Sequence, residues 1–155
     1  KGWYIDLCLN GNTGATGDCA SNVGEKQVSN SLLVNGRVIF TTLLPSTVAC
    51  NAGGTSWLME IDFANGGQTL TSPFDTNSDG YFTSADTVAF GGSVGTSTAN
   101  GTKLGGIAGT PTLVYNPKNK TTYKYSNLSR GDVAKTDNNL GKGIGRVSWR
   151  ELLNE

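Results

Sequence analysis

The sequence has no histidine, only three cysteines and four prolines, and charged side chains at 15 % of 155 residues. Without histidine a Ser-His-Asp triad is impossible, and no pair of carboxylates is marked out for glycoside hydrolysis. A zinc site would have to be assembled from cysteine and carboxylate with no C-x-x-C to begin it, which the usual ligand chemistry disfavours. The 12 basic residues balance the 12 acidic ones, which argues against a generic nucleic-acid or anionic-membrane binder. No apolar run approaches the ~20 residues that a membrane span needs. The opening "KGWYIDLC" has neither a basic leader nor a small-residue cleavage site; either a leader has been removed or the sequence is a piece excised from a longer chain, and the second reading is favoured.

What is abundant is glycine, at 22 residues, together with Thr, Ser and Asn. Few helix formers and many turn formers predict an all-β, loop-rich fold, and the length allows one substantial core. The palette is common in secreted bacterial proteins. Charge is unevenly spread: eight Lys/Arg stand against four Asp/Glu from Lys118 onward, and the reverse holds before it. Complementary surfaces within one fold account for this most simply, a basic partner-binding face being the alternative.

Strands are expected at "GWYIDLCL", at "TSWLMEIDF" with a turn at "ANGG" and a short return "QTLTS", and at "PTLVYN" and "TTYKYS" around Asn116-Pro117. The clearest hairpin is "SLLVNGRVIFTTLLP", two apolar runs joined by Asn35-Gly36, the pair that favours a type I′ turn, with Pro45 as its end. The stretch after the acidic loop is too glycine-rich for helix, and the tail "GRVSWRELLNE" is ambiguous between strand and short helix. Three tryptophans recur in related settings, "GWYIDL", "SWLMEID" and "SWRELL". A repeated strand–turn–strand unit suggests propeller blades, against the plainer reading that tryptophan simply recurs in β proteins. At ~40–50 residues per blade the chain makes about three, fewer than a closed ring, so missing chain would have to cover the edges.

Cys8 and Cys19 flank "LNGNTGATGD", and a bridge between them would staple that loop for about 2–3 kcal/mol. Cys50 is then free or paired elsewhere; a reduced, buried set is the alternative.

The most specific local pattern is "DTNSDGYFTSAD", residues 75–86. Calcium takes 6–8 oxygen ligands, and a twelve-residue loop can supply them from positions 1, 3, 5, 7, 9 and 12. Here those are Asp75, Asn77, Asp79, the Tyr81 carbonyl, the Thr83 hydroxyl or a bridging water, and Asp86, with Gly80 at the sharp turn. The closing Asp is a methylene shorter than the glutamate of sensor loops, and only three carboxylates are present. A weak, micromolar-to-millimolar affinity is therefore expected. Pro73 before the loop and Gly91-Gly92 after it exclude flanking helices. The alternative is a solvated Asn/Asp turn.

Taken together, "GEKQVSNSLLVNGRVIFTTLLP", "GGTSWLMEID" and the acidic loop resemble the C-terminal β-propeller domain of the PilY1 family of type IV pilus biogenesis factors. The similarity runs from Gly2 to about Tyr115, and "GRVSWRELL" is similar to the family's closing segment. The resemblance implies that residues 1–155 are the C-terminal part of one modified quinoprotein-like propeller, with the calcium loop 75–86 inserted. It implies export, and a place at the pilus tip, the outer surface or the periplasm of a Gram-negative bacterium. Ca2+ would be held by Asp75, Asn77, Asp79 and the Tyr81 carbonyl, and its occupancy would regulate pilus extension and retraction. Family loops often carry Asp where this chain has Thr83, which leaves the last side-chain ligand to Asp86. The implied partners are minor pilins at the tip, the rest of the chain's own propeller, and a host-cell or surface receptor.

Three functions follow: a non-enzymatic pilus assembly, adhesion and surface-sensing module; a quinoprotein-like enzyme whose catalytic residues lie elsewhere; or a purely structural extracellular calcium module. The sequence favours the first. Arg130-Gly131-Asp132 is an integrin-type tripeptide that reads first as a turn, with host adhesion as the alternative.

Overall fold

A computed structural model describes residues 2–5, 7, 24–46, 53–89, 96–118 and 121–139. Those residues are all-β, without a helix, so none is long and apolar enough to cross a membrane. Cys8 and Cys19, for which a bridge is expected, Cys50 and the tail from residue 140 lie outside the described residues.

Apolar alternation with an Asn-Gly corner gives the expected hairpin. β1 (Leu32–Val34) pairs antiparallel with β2 (Arg37–Thr41), Val34 facing Arg37 across the turn. Asn35 and Gly36 both adopt left-handed backbone, φ 51° and 75°, as a type I′ turn requires. β3 (Leu44–Pro45) follows and pairs with β4 (Gly54–Asp62); Pro45 is its last residue, the end of the run as expected. β4 is the axis of the five-stranded sheet: β2 lies along it from Leu58 to Asp62, and β7 (Gly101–Leu104) pairs with it from Ser56 to Met59. β5 (Thr87–Ala89) and β6 (Thr96–Thr98) form a separate short pair.

The third sheet runs β8 (Thr112–Asn116), β9 (Thr121–Asn127), β10 (Val133–Asn138), in the order β10-β9-β8. The first two are the strand pair expected around Asn116-Pro117. β10 was not expected from sequence: its polar "VAKTDN" forms a six-residue register with β9.

Two expectations are corrected. Residues 2–5 and 7 form no strand; Trp3 instead donates its indole N–H to the Phe63 carbonyl at 2.8 Å, docking on the turn after β4. "QTLTS" forms no return strand either. Thr69 and Ser72 turn their hydroxyls onto the Thr71 and Phe74 carbonyls, side-chain turns that compete with a ladder.

Alternation along β4 points Ser56, Leu58 and Glu60 inward, and alternation along β9 points Thr122, Lys124 and Ser126 inward. The core between them holds Ile39, Leu58, Phe74, Ala99, Leu104, Ala108 and Leu128. Residues 107–109 cross this space: Ala108 donates its amide to Ser56 Oγ at 2.8 Å and bridges to Leu128.

Candidate metal centre

The acidic loop hangs between a buried stem, Ser72-Pro73-Phe74, and β5. Within it the first three expected ligands come together. The two oxygens of Asp75 accept the amides of Asp79 and Gly80, at 3.2 and 2.8 Å. Asn77 Oδ1 also accepts the Asp79 amide, at 3.0 Å, and Asn77 Nδ2 donates to Asp79 Oδ2. Asp79 Oδ1 accepts the Tyr81 amide at 2.7 Å. Two residues in left-handed backbone, Ser78 at φ 61° and Gly80 at φ 80°, make this curl possible; at Gly80 the absence of a Cβ removes the usual cost.

Asp86 is placed differently. It is 1 % exposed, and its oxygens accept the amides of Thr76 at 2.9 Å and Thr83 at 2.7 Å, tying both limbs of the loop together. Burial alone pushes its pKa up. The amides of Thr83, Thr76 and Asn77 and the Thr76 hydroxyl outweigh that and hold the carboxyl below the ordinary aspartate value, as amide donors to a carboxylate do. Thr83 uses its hydroxyl to accept the Ala85 amide at 3.1 Å, and Tyr81 is exposed.

Among the described residues no three carboxylates, histidines or cysteines gather where one ion could be shared. The donors that converge are a carboxylate–amide–carboxylate set, Asp75, Asn77 and Asp79. All are hard oxygens, and an oxygen that accepts one N–H keeps a second lone pair. That set fits a hard cation such as calcium and would not suit a soft one. Beside the loop opens a groove of about 560 Å³, lined by Asp75, Ser78 and Gly80 of the loop and by Lys103, Lys135 and Asp137 among others.

Beneath the stem lies a cluster that sequence reasoning missed. Glu60 accepts Arg37 Nη1 at 2.6 Å and Lys124 Nζ at 2.7 Å, and Glu60 and Lys124 are both fully buried. Lys124 Nζ also lies 4.1 Å from the centre of the Phe74 ring. Burial pushes the Lys124 pKa down; Glu60 opposes this, and Arg37 adds to it. The only signal in sequence was the "MEID" register, which puts Glu60 on the same face as Leu58.

Arg130, Gly131 and Asp132 form the β9–β10 turn, with Gly131 at φ 92°. Arg130 and Asp132 pair with each other at 2.9 Å on the exposed surface, so an adhesive contact to both would first have to part them.

No protein-family model matches the chain. Over 70 residues it is 39 % identical to the type IV pilus biogenesis factor PilY1 homolog of Xylella fastidiosa strain Temecula1, covering 44 % of this chain and 4 % of that protein. Its fold is similar to the crystal structure of the Pseudomonas aeruginosa PilY1 C-terminal domain, with a TM-score of 0.58 at 21 % identity, over 77 % of this chain and 21 % of that one. The chain therefore spans only a small part of either relative. One comparison rests on sequence and the other on fold, and both point to PilY1: the chain is similar in sequence to a PilY1 homolog over 70 residues, and its fold is similar to that of a PilY1 C-terminal domain.

Proposed function

We propose that this chain is a calcium-ordered, non-enzymatic part of a type IV pilus biogenesis protein, exported to the pilus tip or outer surface. The reading is carried by one coincidence. A chain similar to PilY1 in sequence and fold also holds a loop in which Asp75, Asn77 and Asp79 converge on one side. In this reading a bound calcium neutralises two carboxylates that otherwise repel. Asp75, Asn77, Asp79 and the Tyr81 carbonyl hold it, Thr83 and Asp86 completing the set, and the ordered loop regulates pilus extension and retraction. The surrounding β fold is one sector of a propeller, and its partners are the minor pilins, the rest of that propeller and an adhesive target.

Calorimetric titration of the EDTA-stripped protein with calcium, beside Asp79→Ala and with magnesium as control, tests the metal. One site, lost in the variant and weak for magnesium, is expected, with the β signal of circular dichroism unchanged. No heat from a folded protein would reduce the loop to an Asn/Asp turn. Twitching motility of cells carrying Asp79→Ala in the pilus protein tests the regulation: motility equal to wild type would remove it.

A further inference from the structure

Beyond the metal reading, we infer that the buried Arg37–Glu60–Lys124 cluster is a positioning device for the loop, acting through its incoming stem. Five contacts support this, and four of them fall directly on residues 71–74. Arg37 Nη2 donates to Thr71 Oγ1 at 2.9 Å and to the Thr71 carbonyl at 3.4 Å. Arg37 Nη1 donates to the Asn139 carbonyl, and Asn139 Nδ2 in turn donates to the Ser72 carbonyl at 3.4 Å. Lys124 presses its ammonium on the face of Phe74, the residue immediately before Asp75. β2 through Arg37 and β9 through Lys124, strands of two different sheets, thus hold the two ends of this stem, and Glu60 of β4 pairs with both cations.

The charges do not balance within the cluster. One carboxylate faces two cations, so the pocket carries a surplus positive charge. Backbone carbonyls and the negative face of the Phe74 ring absorb it, directly under an acidic loop. A cluster serving stability alone has little reason to keep such groups, because apolar side chains of equal volume do as well or better in a core. The unusual element is Lys124: without it Glu60 and Arg37 would remain a matched pair. Lys124 and Phe74 are therefore positioning residues. They fix where Asp75 enters the loop, and so whether its oxygens meet the amides of Asp79 and Gly80.

The affinity arm of the test rests on the calcium reading; the exchange arm does not. Amide hydrogen exchange is measured in Lys124→Met, Lys124→Arg and Phe74→Leu without calcium. The amides of Asp79, Gly80 and Tyr81 are followed beside those of the β2–β4 ladder. Lys124→Met is expected to lower loop protection about tenfold, the scale of a desolvated cation–π contact, while the ladder is unchanged. Lys124→Arg should restore it in part. Calcium affinity should fall by a similar factor, since the ion must then order the loop itself. Wild-type loop protection in folded Lys124→Met and Phe74→Leu would overturn the inference. Should Lys124→Met fail to fold, Phe74→Leu, which leaves the three charged groups and their contacts with one another in place, carries the same test. Loosened loop amides in a protein that takes up no calcium would uphold the positioning role and discard the metal.

Discussion

Glu60 sits in a core-facing position of β4 with no surface exposed, between two cations. Removing its charge leaves both cations uncompensated, whereas removing one cation leaves a matched pair. Glu60→Gln is therefore expected to cost about 3–5 kcal/mol in urea denaturation, and Lys124→Met distinctly less. Outside that cluster Asp86 is the other buried charge among the described residues, satisfied by backbone amides instead of a counter-ion. Because its pKa is depressed in the folded state, its contribution is fully present above the ordinary value of 3.8 and is lost as pH falls through the folded pKa. Asp86→Asn should remove that acid sensitivity and lower stability by about 1–3 kcal/mol, as unsatisfied buried amides do. Stability measured from pH 6 down to pH 2 in both proteins checks it.

At the scale of elements, local chemistry and distant pairing divide what could be read in advance. The β1–β2 hairpin was legible because Asn35-Gly36 dictates its corner. Gly36→Ala should cost about 1–2 kcal/mol by forcing a Cβ into left-handed backbone at φ 75°, which thermal unfolding would register. The loop was legible because its oxygens alternate around a glycine, and the curl at Asp75, Asn77 and Asp79 is built from neighbours along the chain. β10 was not, since "VAKTDN" lacks an apolar face. It becomes a strand through β9, where Lys135 and Asp137 oppose Tyr125 and Tyr123 and the Lys135 ammonium covers the Tyr123 ring at 4.0 Å. Nor could alternation reveal that Glu60 and Lys124, 64 residues apart, would share one pocket. Periodicity gives the face a side chain occupies and is silent about which strand will face it.

For the whole molecule, the uneven charge along the sequence acquires a physical meaning. Glu60 comes from the acidic part and Lys124 from the basic part, and their buried contact joins the five-stranded sheet to the three-stranded one. Among the described residues the other pairs in the basic part, Arg130–Asp132 and Lys135–Asp137, are local and exposed, and exposed pairs add little. Under the proposed function, calcium should stabilise the whole protein by about 2.7 kcal/mol at a hundredfold excess over Kd, seen as a concentration-dependent rise in Tm that EDTA abolishes. A Tm indifferent to calcium would mean that no ion binds the folded protein in preference to the unfolded chain.

The two limbs of the loop are held unequally. The incoming limb is gripped by strands of two sheets, while the outgoing one leads into a pair of three-residue strands and depends on Asp86 spanning Thr76 and Thr83. Phe74 is in effect a hinge and Asp86 a latch. When the latch lets go, one end of the twelve-residue segment stays where it was. Reclosing a chain with one end already in place costs less entropy than gathering two free ends. A loop built this way can open often and return quickly to the same shape.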